Sequence, residues 1–208
     1  MIGLVAALAA TVGDLLLLAT SNAPRPGFEW LPPASEAALV VGTYLGVVAL
    51  PLYGLGYREV AARCDARVRR SIVALGTAGG VLGGTTHGLT GLVIHVEQTG
   101  GEAAVDPVTL IGRYGAYLLP LWTAITCLSV VGAGVYFITV LAGRSSLPRW
   151  MALANPIALT LALVAIGQGS TTGEAFLVPA APNVAHVLFF GLVAAHRRTL
   201  DTERGSRH

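Results

Sequence analysis

The sequence predicts an all-α fold: a polytopic transmembrane helical bundle of six spans with both termini cytoplasmic. Three observations carry that expectation. The 208 residues are 54% hydrophobic and only 12% charged, where a soluble domain carries about 25% charged residues. The apolar residues gather in six blocks, most of them near the ~20 residues that cross a bilayer as a helix. The thirteen basic residues are all Arg, and they follow every second block. Arg58, Arg63, Arg67, Arg69 and Arg70 follow the second, Arg144 and Arg149 the fourth, and Arg197, Arg198, Arg204 and Arg207 the sixth. Only Arg25 and Arg113 fall in the alternate loops. Positive charge is retained on the cytoplasmic side of a membrane, so the alternation orients the chain.

The opposite side carries Glu29, Glu36, Glu97, Glu102, Asp106 and Glu174. This asymmetry is a topology signal and does not point to nucleic acid. Arg63 to Arg70 could also attract anionic lipid, at ~1 kcal/mol per charge near the surface. Residues 1–197 form one six-helix domain and 198–208 a charged cytoplasmic tail, expected to be disordered. The location expected is a bacterial inner membrane.

Span one covers about 2–20. It is retained rather than cleaved, because it lacks a basic leader, Asp14 interrupts its apolar run, and Pro24 follows the Ser21-Asn22-Ala23 site. Residues 21–35 form an outer loop, where Pro24, Pro26, Pro32 and Pro33 preclude a long helix and Phe28 and Trp30 suit an interface. Span two covers about 36–57, with Ser35 as its cap and a kink at Pro51. Span three, about 71–96, places Gly76, Gly80, Gly84 and Gly88 at a spacing of four. Such a ridge admits a close neighbouring helix, so Gly84→Leu is expected to impair folding. Residues 97–114 form the second outer loop. Span four covers about 115–141, with Pro120 near its outer end, and a tight turn covers 143–148. Span five covers about 150–169, with Asn155-Pro156 near its start. Residues 170–182 form the third outer loop, and span six is short, about 183–196. Cys64 lies in a reducing compartment and Cys127 at membrane depth, so no disulfide joins them. No internal repeat is evident, which disfavours an inverted-repeat transporter.

Ionisable groups at membrane depth are expensive, ~2.5–3.5 kcal/mol on insertion scales, and they face protein or a cavity. Asp14, His87, His95 and His186 are the candidates. Helical phase puts His87 on the glycine-ridge side of span three. Asn183 and His186, three apart, share a face of span six. Tyr44, Tyr117, Trp122 and Gln168 belong to the same outer half and are candidate substrate-binding residues with Asn183 and His186. Blander roles stand beside these. Asp14 could hydrogen-bond a neighbouring helix or a Tyr hydroxyl, and His87 a backbone carbonyl. Asn183 could cap span six, and the aromatic residues could be packing or belt positions. Metal is disfavoured because no His or Cys pair has ligand spacing, though Asp14, His87 and His186 could converge from three helices. No organic cofactor is implied.

The strings Gly13-Asp14-Leu15-Leu16, Leu50-Pro51-Leu52-Tyr53-Gly54-Leu55-Gly56-Tyr57, His87-Gly88, Leu147-Pro148-Arg149-Trp150-Met151 with Asn155-Pro156, and Pro179-Ala180-Ala181-Pro182-Asn183 run through nearly the whole chain. In them it resembles a family of small six-span bacterial membrane proteins known only as a domain of unknown function. The resemblance implies no activity; it marks Asp14, His87 and Asn183 for testing.

The function expected is an intramembrane enzyme acting on a lipid-like or isoprenoid substrate by proton transfer, such as cyclisation or isomerisation. Asp14 and His87 are its expected acid–base residues, in one cavity of the outer half. Aromatic faces could stabilise a carbocation. Asp14→Asn is then expected to lower activity at least ~100-fold. The alternatives are a small proton-coupled transporter and a non-catalytic assembly protein. The expected partners are membrane lipid, a hydrophobic small molecule and possible further copies of the chain.

Overall fold

The computed structural model describes residues 1–19, 35–99 and 107–205. These residues are helical, with no strand among them. The prolines, Phe28 and Trp30 expected in the first outer loop lie outside the described residues. The helices are α1 (Ile2–Asp14), α2 (Glu36–Ala49), α3 (Tyr53–Ala61), α4 (Ala66–Thr99), α5 (Pro107–Leu141), α6 (Pro156–Gly167) and α7 (Val178–Gly205).

Local chemistry sets most boundaries. Ser35 caps α2, its Oγ accepting from the Ala38 N–H at 3.2 Å. Pro51, which cannot donate an N–H, sits in a 3-10 turn, Leu50–Leu52, that joins α2 to α3. The kink expected there is present. Asn155 caps α6, its Oδ1 accepting from Ala158 N–H at 3.0 Å while its Nδ2 donates to the Ala152 carbonyl at 2.9 Å. Pro156 then opens the helix at the position where a missing N–H is harmless. Residues 149–152 form a 3-10 turn, so the fifth span begins later than the sequence predicts.

Three expectations are corrected at the last helix and the second outer loop. A π-helical turn at Gly173–Leu177 leads straight into α7. Residues 173–182, expected in a loop, are therefore helical. Proline is tolerated within apolar helices where neighbouring groups satisfy the freed backbone, and Pro182 lies inside α7. At the other end α7 runs to Gly205, where a disordered tail was expected. Likewise α4 reaches Thr99 and α5 starts at Pro107, which narrows the second outer loop.

The helical rods pack in chain order as a ring: α1 on α2 and α3, these on α4, α4 on α5, α6 on α7, and α7 back on α1. The α5–α6 seam is the most sparsely packed. The glycine ridge of α4 packs on α2 and α3, as its spacing predicts. Gly76 faces Tyr57, Gly80 faces the Leu50 carbonyl, Gly84 faces the Val47 carbonyl and Pro51, and Gly88 faces Val47.

Three segments are long and apolar enough to cross a membrane: Glu36–Ala61, Gly112–Leu141 and Gly173–His196. Ile2–Leu17 and Pro156–Gly167 are shorter apolar helices. The exterior of the bundle is apolar where that of a soluble one is polar. Val5, Leu8, Val41, Val48, Val131, Ile138, Leu161 and Ile166 are exposed, while Asp14, Thr86, His87, Thr90, Glu97 and Asn183 are buried. An apolar exterior with ionisable groups kept inside matches lipid as the outer solvent.

At the Arg-rich end the α3–α4 and α5–α6 turns are joined. Asp65 N–H donates to the Arg144 carbonyl and Ser146 N–H to the Arg63 carbonyl, both at 2.8 Å. Arg144 Nη2 meets Asp65 Oδ2 at 3.2 Å. The Arg67 backbone N–H, then Arg144, hold the Asp65 carboxyl below the usual carboxylate range. Burial pushes the neighbouring Cys64 thiol up to about 11, so it is a packed thiol rather than a reactive one.

Candidate functional site

Two buried polar assemblies meet along the inner face of α7. In the first, α1, α4 and α7 converge. Asn183 Nδ2 donates to Asp14 Oδ2 at 2.6 Å. Tyr53 O–H donates to Asn183 Oδ1 at 2.6 Å. The other carboxylate oxygen of Asp14 lies 3.5 Å from His87 Nδ1, longer than a hydrogen bond but close for an ion pair. His87 Nε2 stands 3.0 Å from the Gly42 carbonyl. A carbonyl only accepts, so Nε2 carries a proton, and Nδ1 and Asp14 face each other across one titratable position. Glycine makes this possible: a side chain at Gly46 would occupy the space of the His87 ring.

The second assembly stands one turn along α3 and α7. Tyr57 Oη lies 3.0 Å from His186 Nε2. His186 Nδ1 lies 2.7 Å from the Pro182 carbonyl, so Nδ1 carries the proton of the neutral ring. Nε2 is then an acceptor and Tyr57 the donor. The Tyr53 and His186 rings are 4.5 Å apart, and Phe190 packs edge-on against Tyr53.

Beside both assemblies lies a cavity of about 340 Å³, within the range of small-molecule sites. Its walls come from α3 to α7 and the Pro51 turn; α1 contributes none. Leu50, Ile72, Leu75, Ile125 and Phe189 supply apolar surface. Tyr53, Tyr57, Asn183 and His186 supply a polar edge, and Tyr136 and Thr160 add hydroxyls.

Of the sequence-predicted site residues, Asp14 and His87 lie 3.5 Å apart and both are buried, whereas the sequence places them in one cavity. They do not line the cavity; Asp14 reaches it only through Asn183. Asn183 and His186 do line it. Asn183 is not a helix cap, because α7 begins five residues before it. His186 lies ~20 Å along the helix from Gly173, well inside the bundle rather than near its end. Tyr44 and Tyr117 are 65% and 69% exposed on the bundle exterior. Trp122 and Gln168 are not on the cavity wall either; Gln168 is exposed beyond the end of α6. The convergence of Asp14, His87 and His186 as metal ligands is not formed: His186 bonds Tyr57 and Pro182 instead. Among the described residues no three His, Cys, Asp or Glu side chains are grouped as a metal site requires. At the end opposite the Arg-rich turns, Glu97 is buried and accepts from Tyr114 O–H at 2.6 Å and from Arg113. The sequence places it in the second outer loop.

The sequence reading missed Tyr53 and Tyr57. The legible signal was spacing: they are four apart on one helix, and Asn183 and His186 are three apart on another.

Fold and site thus define a class: an all-helical bundle with membrane-length helices and a buried polar cluster bordering an apolar cavity. The chain belongs to a family described as a family of unknown function (DUF6796), whose model matches residues 1–198. No curated protein and no solved structure matches it.

Proposed function

We propose that this protein is an integral membrane enzyme that acts on a lipid-like substrate by proton transfer. It crosses the membrane six times with both termini in the cytoplasm. The observation that carries the catalytic reading is the Tyr57–His186 pair on the wall of an apolar cavity. A substrate proton passes to the Tyr57 oxygen as the Tyr57 proton passes to His186 Nε2. The substrate bond to hydrogen breaks, the Tyr57 O–H is renewed, and His186 becomes an imidazolium. Delivery of the proton from Tyr57 to a different atom of the substrate, with the His186 proton passing back to the Tyr57 oxygen, completes an isomerisation, so one pair serves as base and then acid. Asp14 and His87 stand one residue behind the wall. Their role is positional: Asp14 holds the Asn183 amide, which holds the Tyr53 hydroxyl.

Lipid extracts of a strain lacking the gene, compared with the complemented strain, test this. An apolar metabolite should accumulate in the former and fall on complementation. Identical lipid profiles would count against an enzyme. The buried Asp14–His87 pair gives a proton-coupled carrier some support, and that reading predicts proton uptake by proteoliposomes without chemical change to any lipid.

The topology rests on the Arg distribution. A single cysteine at position 102, in a background without Cys64 and Cys127, should react with an impermeant maleimide on intact cells. Labelling only after lysis would contradict six spans in this orientation.

A further inference from the structure

The hydrogen-bond directions around the cavity define what its ligand must offer. Each of the three tyrosines on the wall has its proton engaged within the protein. Tyr53 donates to Asn183 Oδ1, Tyr57 to His186 Nε2, and Tyr136 to the Met151 carbonyl at 3.1 Å. Thr160 donates to the Pro156 carbonyl at 2.7 Å. One N–H of the Asn183 amide is engaged with Asp14, and the single N–H of neutral His186 with the Pro182 carbonyl. A phenol has one proton but further acceptor capacity. The tyrosine oxygens therefore present lone pairs to the cavity, with no phenolic proton left to donate. No Arg lines it. Thr126 and Ser129, on α5, are the remaining hydroxyls, and each can donate or accept.

We infer that the cavity selects a lipid-like alcohol, whose hydroxyl donates to the Tyr57 or Tyr53 oxygen while its body fills the apolar walls. This rests on the reading of the cavity as a ligand site and names the substrate class. At the tyrosine oxygens a ketone, aldehyde, carboxylate or phosphate would set acceptor against acceptor, where the alcohol donates. An ammonium group could donate, but its charge would be buried without a counter-ion on the wall.

The test is equilibrium binding of tritiated farnesol to the purified full chain in nanodiscs. Competitors are unlabelled farnesol, farnesal, farnesyl phosphate and the parent hydrocarbon farnesane; farnesol is a probe of the class. Unlabelled farnesol should compete about tenfold better than each of the others, the scale of one net hydrogen bond. This comparison uses the unaltered protein and needs no variant to fold. In the Tyr53→Phe/Tyr57→Phe double variant the preference for farnesol over farnesane should vanish while farnesane still competes. Farnesal or farnesyl phosphate competing as well as farnesol would overturn the donor rule and leave the cavity reading standing. So would a farnesol preference that survives the double variant. Binding of none of the four, or binding undiminished by Gly79→Phe, would overturn the cavity reading itself. A Cβ at Gly79, on the cavity wall, meets no atom within 4 Å, so that side chain can fill the space without a backbone clash.

Discussion

Gly84→Leu should destabilise the protein by about 3 kcal/mol or more, the upper range for overpacking. The first added carbon would lie 3.0 Å from the Val47 carbonyl oxygen and 3.1 Å from Pro51 Cδ. Neither neighbour can give way. One is backbone within a helix, and the other is a ring fixed in the 3-10 turn. The α2–α4 contact must open, and the wall that carries Tyr53 moves with it. Gly79→Leu is the matched control, since it adds the same side chain to the same helix where space is open. Thermal melting in detergent should separate the two, with Gly79→Leu close to the parent. Equal melting of Gly84→Leu and parent would mean that the ridge does not pack on α2.

Tyr57→Phe should lower activity by about 100-fold, the lower range for general acid–base catalysis, with the fold retained. It deletes one oxygen and keeps the ring contacts with His186, Phe189 and Phe190. Asp14→Asn, expected from sequence to abolish acid–base work, should now reduce activity only a few-fold. An amide at position 14 can accept from Asn183 through its oxygen and donate to His87 Nδ1 through its nitrogen, so both contacts survive. The readout is turnover of the lipid that accumulates in the deletion strain. A large loss in Asp14→Asn with Tyr57→Phe unaffected would place the chemistry at Asp14 instead.

Glycine spacing and helix caps were legible in the sequence because their causes are local. Gly76 to Gly88 repeat every four residues, Ser35 precedes an apolar run, and Pro51 lacks an N–H. The Asp14–His87 pairing was legible from the expense of placing both at membrane depth. The cavity was not. Pro179 and Pro182 read as loop residues, which moved the start of the last helix and misjudged the depth of Asn183 and His186. Tyr53 and Tyr57 carry no charge and stand among apolar residues, so only their spacing of four marks them. Tyr44 and Tyr117 resembled them in type but lie on the exterior, a matter of tertiary phase that one sequence does not carry.

Native mass spectrometry of the protein released from nanodiscs tests the central claim, that the apolar cavity holds a lipid-like molecule. The parent protein should retain one small apolar molecule, and Gly79→Phe, with the cavity filled, should not. A spectrum with no retained molecule in the parent, or the same molecule retained by Gly79→Phe, would contradict it.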